Sequence, residues 1–404
     1  MDVASLIKAS GEAILQIAVT CGTGIYLAKN GILSRDLQKS LSNLNLNFLT
    51  PCLLFTTVAF AVSPSVFLTF WPIPSYSLIF TLISMLASTI CARLFHFSKA
   101  QANFSKAASM FPNTNSLPIP LIQSLANSTA AKMLLWDDND TPENVQARGI
   151  SYIVIFAILG NFLRFSYGFQ LLDTPITQTN DDHLPEHDKS IDSDYASSTG
   201  DEGASEYAGL LGQPSTHSTP NLFQVLVSKI KQSYKIVRKV FNPPLYATFA
   251  GLFVGLIPRL KGLLFGSNPI FRPIMRAIDI CGQASIPLIL LCLGAQLYAL
   301  SGRSGFKKVI WTIVVQRLLV MPMVAIGVVL LTHKLISLGS DPVFVLTMMI
   351  LGSGPTAVNL MNICQALGNY EDEMAELLLY SYLIAAPALT LWVVVYLWVI
   401  GQTF

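Results

Sequence analysis

Long apolar runs separated by short polar connectors set the pattern of this chain. A helix needs about 20 mostly apolar residues to cross the hydrocarbon core of a bilayer. At that length the pattern predicts ten spans, at 10–28, 41–62, 76–97, 103–125, 150–172, 243–262, 277–299, 308–332, 341–367 and 377–400. Segments such as "KNGILSRDLQK" and "SGRSGFKK" connect them. The expected fold class is an all-α polytopic membrane protein with ten transmembrane helices.

One stretch departs from the pattern. "LLDTPITQTNDDHLPEHDKSIDSDYASSTGDEGASEYAGLLGQPSTHSTP" is acidic, rich in Ser and Thr, and nearly free of large apolar side chains. It buries too little to fold, so a disordered linker is expected over 173–240. Its end, "FQVLVSKIKQSYKIVRKVF", turns basic and amphipathic, as suits a helix on an anionic membrane face.

The linker leaves five spans in 1–172 and five in 241–404, and the halves echo each other. "NFLTPCLLF" resembles "GQASIPLILL", with Pro51 and Pro287 matched 236 residues apart. "SLPIPLIQSL" resembles "NLMNICQAL", with Gln123 and Gln365 matched at 242. An odd number of spans per repeat inverts the second copy, the plan of many secondary transporters. Lys and Arg divide almost evenly between the two sets of connectors. The cluster Lys229, Lys231, Lys235, Arg238 and Lys239 favours a cytosolic linker. The sequons at Asn127 and Asn139 then face the lumen or exterior.

Composition narrows the class. The 404 residues are 52% hydrophobic and 12% charged, with mean hydropathy +0.55; soluble domains carry roughly 25% charge. A net charge of +2 gives no reason to expect nucleic acid as a partner. The six cysteines fall in apolar segments without CxxC spacing, so neither a disulfide framework nor a zinc site is expected. The N-terminus has no basic region before its apolar run and carries Glu12 within it, unlike a cleaved signal. GxSxG, HExxH and GxxxxGK[ST] are all missing. The chain is therefore expected not to be an enzyme and to need no cofactor or metal.

The most informative stretch is "FPNTNSLPIPLIQSL" at 111–125. Pro118 and Pro120 lack amide donors and would clash with the carbonyls of Thr114 and Ser116. Backbone freed in this way is tolerated at membrane depth only inside protein or beside a watery cavity. Asn113, Thr114, Asn115 and Ser116 put polar side chains where the helix must break. The ninth span repeats the device in "LGSGPTAVNLMNICQALG": Gly352, Gly354 and Pro355 interrupt it, and Asn359, Asn362 and Gln365 follow at three-residue spacing. Matched breaks in the two halves point to a transporter's substrate site. Half-helices starting there aim unpaired amides at the cavity, and Asn adds neutral donors and acceptors, a suitable setting for a carboxylate. The competing reading is a pair of kinked structural helices with Asn as interhelical glue.

The span order, together with "NFLTPCLLF", "PNTNSLPIPLIQSL", "NPPLYATFAGLFVGLIP", "ASIPLILLCLGAQL" and "GPTAVNLMNICQALG", resembles the auxin efflux carrier superfamily, within it the PIN-LIKES branch and its fungal relatives. The resemblance covers every span and leaves only the linker unmatched. It implies two inverted five-helix repeats with spans four and nine broken and crossing. It also implies an elevator-like mechanism, residence in the endoplasmic reticulum membrane (plasma membrane or vacuole as alternatives), and an auxin-like organic anion as cargo. Carried over by motif, Pro118 and Pro355 are the crossover prolines, with Asn113, Asn115, Asn359 and Asn362 beside the substrate. Where plant members have a GNxGNxP pattern, this chain has "PNTNSLP", which leaves indole-3-acetate as a reference cargo only.

Other charged residues in apolar segments need a reason. Glu12 and Asp279 open their spans, where capping competes with a proton-coupling role. Arg164 and Arg317 lie deeper, beside Asn161 and Gln316, and read as structural pairing or snorkelling in preference to substrate contact. Two further functional readings stay open. One is an ion-coupled carrier of the bile-acid or sodium–proton-exchanger type, although the breaks here hold no Asp or Glu. The other is a non-transporting scaffold or sensor acting through its linker. Besides the anion and the bilayer, a homodimer is an open partner state.

Overall fold

The computed structural model describes the backbone of residues 3–64, 69–114, 117–127, 129–136, 140–174, 242–266, 271–299, 305–335 and 341–403. All but the first two residues of the linker, with its basic amphipathic end, and Asn115, Ser116 and Asn139 lie outside the described residues. So does the Glu12 side chain. Among the described residues all regular structure is helical, with one isolated antiparallel bridge.

The helices, in chain order, are α1 (Val3–Lys29), α2 (Arg35–Ala61), α3 (Pro72–Leu94), α4 (Lys99–Met110), α5 (Pro118–Ala126) and α6 (Pro142–Leu172). After the linker come α7 (Pro243–Leu256), α8 (Pro258–Phe265), α9 (Phe271–Ala299), α10 (Lys307–Leu335), α11 (Pro342–Ser353), α12 (Asn359–Leu367) and α13 (Glu371–Thr403). Of these, α2, α3, α6, α9 and α10 are long and apolar enough to cross a membrane. The bent pairs α7–α8 and the two halves of α13 bring the total to seven if each is one span.

The distribution of polarity shows which solvent these helices meet. On α3 the exposed face carries Leu78, Leu82, Leu86 and Ile90, with Leu86 60% exposed. Its buried face carries Tyr76, Phe80, Ser84 and Ser88, both serines at 0%. Leucines outward and hydroxyls inward is the arrangement a lipid-facing helix needs, because polar groups are costly in hydrocarbon and must find partners within the protein. Ser88 and Ser105 accordingly share a hydrogen bond of 2.9 Å between α3 and α4.

Proline accounts for most departures from straight helix. The expected span 243–262 is bent by 106° between α7 and α8. Pro258 forces Ile257 into extended geometry (φ −106°, ψ 98°), since a residue before proline is pushed out of the helical region. Pro387 bends α13 by 48°. In α2 a π-turn at Asn45–Leu49 precedes Pro51, and in α10 another at Gln316–Val320 precedes Pro322. Each wider turn absorbs the amide that the proline lacks. A third π-turn, at Arg164–Gly168 in α6, precedes no proline.

Close approach fixes the helix pairs that carry the site. A Cβ on Gly294 of α9 would stand 2.0 Å from the Cys21 carbonyl oxygen of α1, so these backbones pack at a distance only glycine allows. A polar hub joins α2 to α9, where Asn45 Nδ2 donates to the Ser285 carbonyl (3.1 Å) and Ser285 Oγ donates to Asn45 Oδ1 (2.7 Å).

Candidate functional site

The site begins with two interrupted helices. Ser98 opens α4 with a capping box, its hydroxyl accepting from the Gln101 amide and Gln101 Oε1 accepting from the Ser98 amide. The helix stops at Met110, and Phe111 is extended (φ −113°, ψ 102°). The chain becomes helical again at Pro118, which occupies the first turn of α5, where a missing amide costs nothing. The other interruption follows the same course. Asp341 caps α11 by accepting from the Val343 amide, the helix ends at Ser353, and α12 starts at Asn359. Gly354 is extended (φ −60°, ψ 151°), as a residue before Pro355 must be.

The two extended segments pair antiparallel. Pro112 faces Thr356; the Asn113 amide donates to the Pro355 carbonyl (2.7 Å) and the Ala357 amide to the Phe111 carbonyl (3.0 Å). Backbone groups freed by one break are thus satisfied by the other, which is how non-helical chain survives inside apolar surroundings. A Cβ on Gly354 would stand 3.0 Å from the Asn113 carbonyl oxygen, so any larger residue would crowd the pairing by a few tenths of an ångström. Tyr382 of α13 holds the pair from one side. Its hydroxyl accepts from Asn113 Nδ2 (2.5 Å) and donates to the Thr356 carbonyl (3.3 Å).

Two buried guanidinium groups hold the C-terminal ends of the broken helices. Arg317 is 1% exposed; its Nε and Nη2 donate to the Gly354 carbonyl (2.9 and 2.5 Å), and Nη1 donates to the Ser109 carbonyl (3.2 Å). Arg164 is 2% exposed; Nη1 donates to Asn161 Oδ1 (2.9 Å) and Nη2 to the Pro112 carbonyl (3.3 Å). Among the described residues, no carboxylate forms an ion pair with either. Both therefore pair within the protein, and neither snorkels.

Beside the pairing lies a cleft of about 20 Å³, room for about one water molecule, lined by Asn113, Thr114, Arg164, Ile286, Ala357, Val358 and Asn359. Of the residues singled out from sequence, Asn113 and Asn359 meet here, one from each broken segment. Pro118, Pro120 and Pro355 shape the breaks without lining the cleft. Asn362 is buried one turn along α12, its Oδ1 without a hydrogen-bond partner among the described residues. Gln365 lies a further turn away; its Oε1 accepts from Ser42 Oγ (2.7 Å) and its Nε2 donates to the Cys292 carbonyl (3.4 Å), joining α12 to α2 and α9.

Of the two candidate coupling acids, Asp279 sits elsewhere. Because α1 starts at Val3 and α9 at Phe271, Glu12 and Asp279 lie well inside their helices and do not open them. Asp279 accepts from Gln283 Nε2 (2.7 Å) and lines a separate cavity of about 520 Å³ with Arg272, Arg276, Phe60 and Phe265.

Sequence reasoning passed over Tyr382, whose apolar neighbours give no signal, and the ionic cluster at the start of α6. There Arg148 donates to both oxygens of Asp140 (2.8 and 2.7 Å) and, through Nε, to Asp341 Oδ2 (3.1 Å), which Tyr152 also reaches at 2.7 Å. Arg148 holds the Asp140 carboxyl below the usual carboxylate range.

Residues 10–393 match the membrane transport protein family. An uncharacterized transporter of Schizosaccharomyces pombe is 33% identical, covering 96% of this chain and 94% of its own. One from Saccharomyces cerevisiae is 29% identical, covering 95% and 93%. Protein PIN-LIKES 7 of Arabidopsis thaliana is 24% identical, covering 98% and 99%. With breaks, crossing segments and full-length similarity in agreement, the chain belongs to the membrane transport protein family, that of the auxin efflux carriers, alongside PIN-LIKES proteins and fungal transporters.

Proposed function

We propose that this protein is a secondary carrier that moves a small organic anion, auxin-like in the reference case, across an intracellular membrane by alternating access. The observation that carries the reading is the antiparallel pairing of two broken helices beside a polar cleft. Among the described residues, neither α5 nor α12 has a side-chain cap at its N-terminus. Pro118 and Pro120 supply no amide to the first turn of α5, and the Leu360 and Met361 amides of α12 already donate to Ala357 and Val358. What favours an anion is therefore the partial positive charge of the two helix N-termini, with Asn113 and Asn359 adding donors from both segments.

In this proposal the chain has ten spans in two inverted five-helix repeats, 1–172 and 241–404, with 173–240 a cytosolic linker. Spans four and nine are α4–α5 and α11–α12. The cleft holds about one water, so the cargo is bound in another conformation of the cycle. The endoplasmic reticulum is the membrane we favour, on the family resemblance.

The test is uptake of labelled indole-3-acetate by proteoliposomes containing the full chain. A carrier working by alternating access gives saturable uptake that is accelerated by unlabelled acid on the opposite side. Uptake that rises linearly with concentration, without acceleration, contradicts the reading. No uptake above empty liposomes removes auxin as the cargo.

A further inference from the structure

The two buried arginines differ in a way that bears on the charge of the cargo. Every nitrogen of the Arg317 guanidinium has a hydrogen-bond acceptor. Those acceptors, the Ser109 and Gly354 carbonyls, stand at the C-terminal ends of α4 and α11. Each helix C-terminus carries roughly half a negative charge, so two together balance about one cation. Arg317 thus has an acceptor for each nitrogen and two helix C-termini facing its charge.

Arg164 differs. Its Nε has no hydrogen-bond partner among the described residues, Nη2 has only the 3.3 Å bond to the Pro112 carbonyl, and Nη1 is on the neutral Asn161. The guanidinium carbon also stands 5.8 Å from the centroid of the Phe111 ring. Arg164 lines the cleft together with Asn113 and Asn359. A buried cation without an anion is costly, and a π-turn that no proline explains puts Arg164 in this position. The under-used edge is Nε with Nη2. Arg148 presents that same edge to Asp341, Nε to Oδ2 at 3.1 Å and Nη2 to Oδ1 at 3.5 Å. The fork fits the two oxygens of a planar carboxylate.

We infer that Arg164 selects the cargo by charge: its Nε–Nη2 edge holds the carboxylate of a monoanion in the cleft, while Arg317 serves only to hold the crossing segments. The inference rests on the carrier reading above and narrows its cargo to monocarboxylates. A dianion exceeds the one cation on offer, and a neutral analogue leaves it unpaired.

The test is thermal stabilisation of the purified full chain by three acids, indole-3-acetate, benzoate and decanoate, each beside its primary amide. In the wild-type protein at least one acid should stabilise at a concentration about tenfold or more below that of its amide. Arg164→Gln should bring that ratio to about one. Arg164→Lys, which keeps the charge and loses the fork, should retain part of it. If Arg164→Gln yields no folded protein, Arg164→Lys carries the test, and an unchanged ratio in it overturns the inference. A wild-type ratio that survives Arg164→Gln overturns it too, leaving the carrier reading intact with its cation elsewhere. No acid preferred over its amide by the wild type also overturns it. The carrier reading fails separately, if an acid that binds is not moved across the bilayer.

Discussion

Arg317 donates twice to the Gly354 carbonyl, at 2.9 Å from Nε and 2.5 Å from Nη2, and its third nitrogen reaches Ser109 at 3.2 Å. One side chain on α10 thereby joins the ends of both broken helices. Replacing it with Met leaves two buried carbonyls without this donor, at about 1–3 kcal/mol for each. Arg317→Met should therefore lower the melting temperature in detergent well below that of Arg317→Lys, which keeps one donor point. Equal melting temperatures for both variants and wild type would show that the crossing holds without it.

Gly294 and Gly327 provide a matched pair. A Cβ at Gly294 would stand 2.0 Å from the Cys21 carbonyl oxygen, whereas one at Gly327 meets nothing within 4 Å. Gly294→Ala should destabilise by about 1–3 kcal/mol through forced separation of α1 and α9. Gly327→Ala should be neutral or stabilise by up to about 1 kcal/mol, because alanine favours helix. Thermal unfolding of the two variants side by side checks the prediction.

The bond of 2.7 Å from Ser42 to Gln365 is buried and joins α2 to α12. Ser42→Ala and Gln365→Ala should each cost about 1–3 kcal/mol. Because they remove the same bond, the double variant should cost less than the two losses added together. Strict additivity in a double-mutant cycle would show that the pair does not interact.

The pH dependence of the Asp140 contribution has a definite sign. Arg148 lowers the Asp140 carboxyl pKa on folding. Such a group stabilises the fold above its unfolded pKa, near 4, and the contribution is lost as pH falls through the lower folded value. Wild type should therefore exceed Asp140→Asn in melting temperature at neutral pH, and the gap should close on acidification. A gap that widens in acid would contradict the assignment.

Much of this architecture is legible in the chain. The apolar runs locate the helices, and Pro118, Gly354 and Pro355 mark the breaks, because both signals act through local backbone physics. The 106° bend before Pro258 escapes that pattern, which reads 243–262 as a single span. Other features depend on tertiary contact. Nothing near Arg317 in sequence shows that its acceptors are Ser109 and Gly354, and Gln365 has the helical spacing of Asn359 and Asn362 while facing Ser42. The difference between the two arginines, one with an acceptor for each nitrogen and one whose Nε has none among the described residues, exists only in three dimensions.

On the proposed function, the paired breaks form the carrier's binding site. Uptake of labelled indole-3-acetate into proteoliposomes, wild type beside the Asn113→Ala, Asn359→Ala double variant, tests it most directly. The account predicts saturable uptake by the wild type that the double variant loses while its melting temperature shows it still folded. Undiminished saturable uptake by the folded double variant would contradict it.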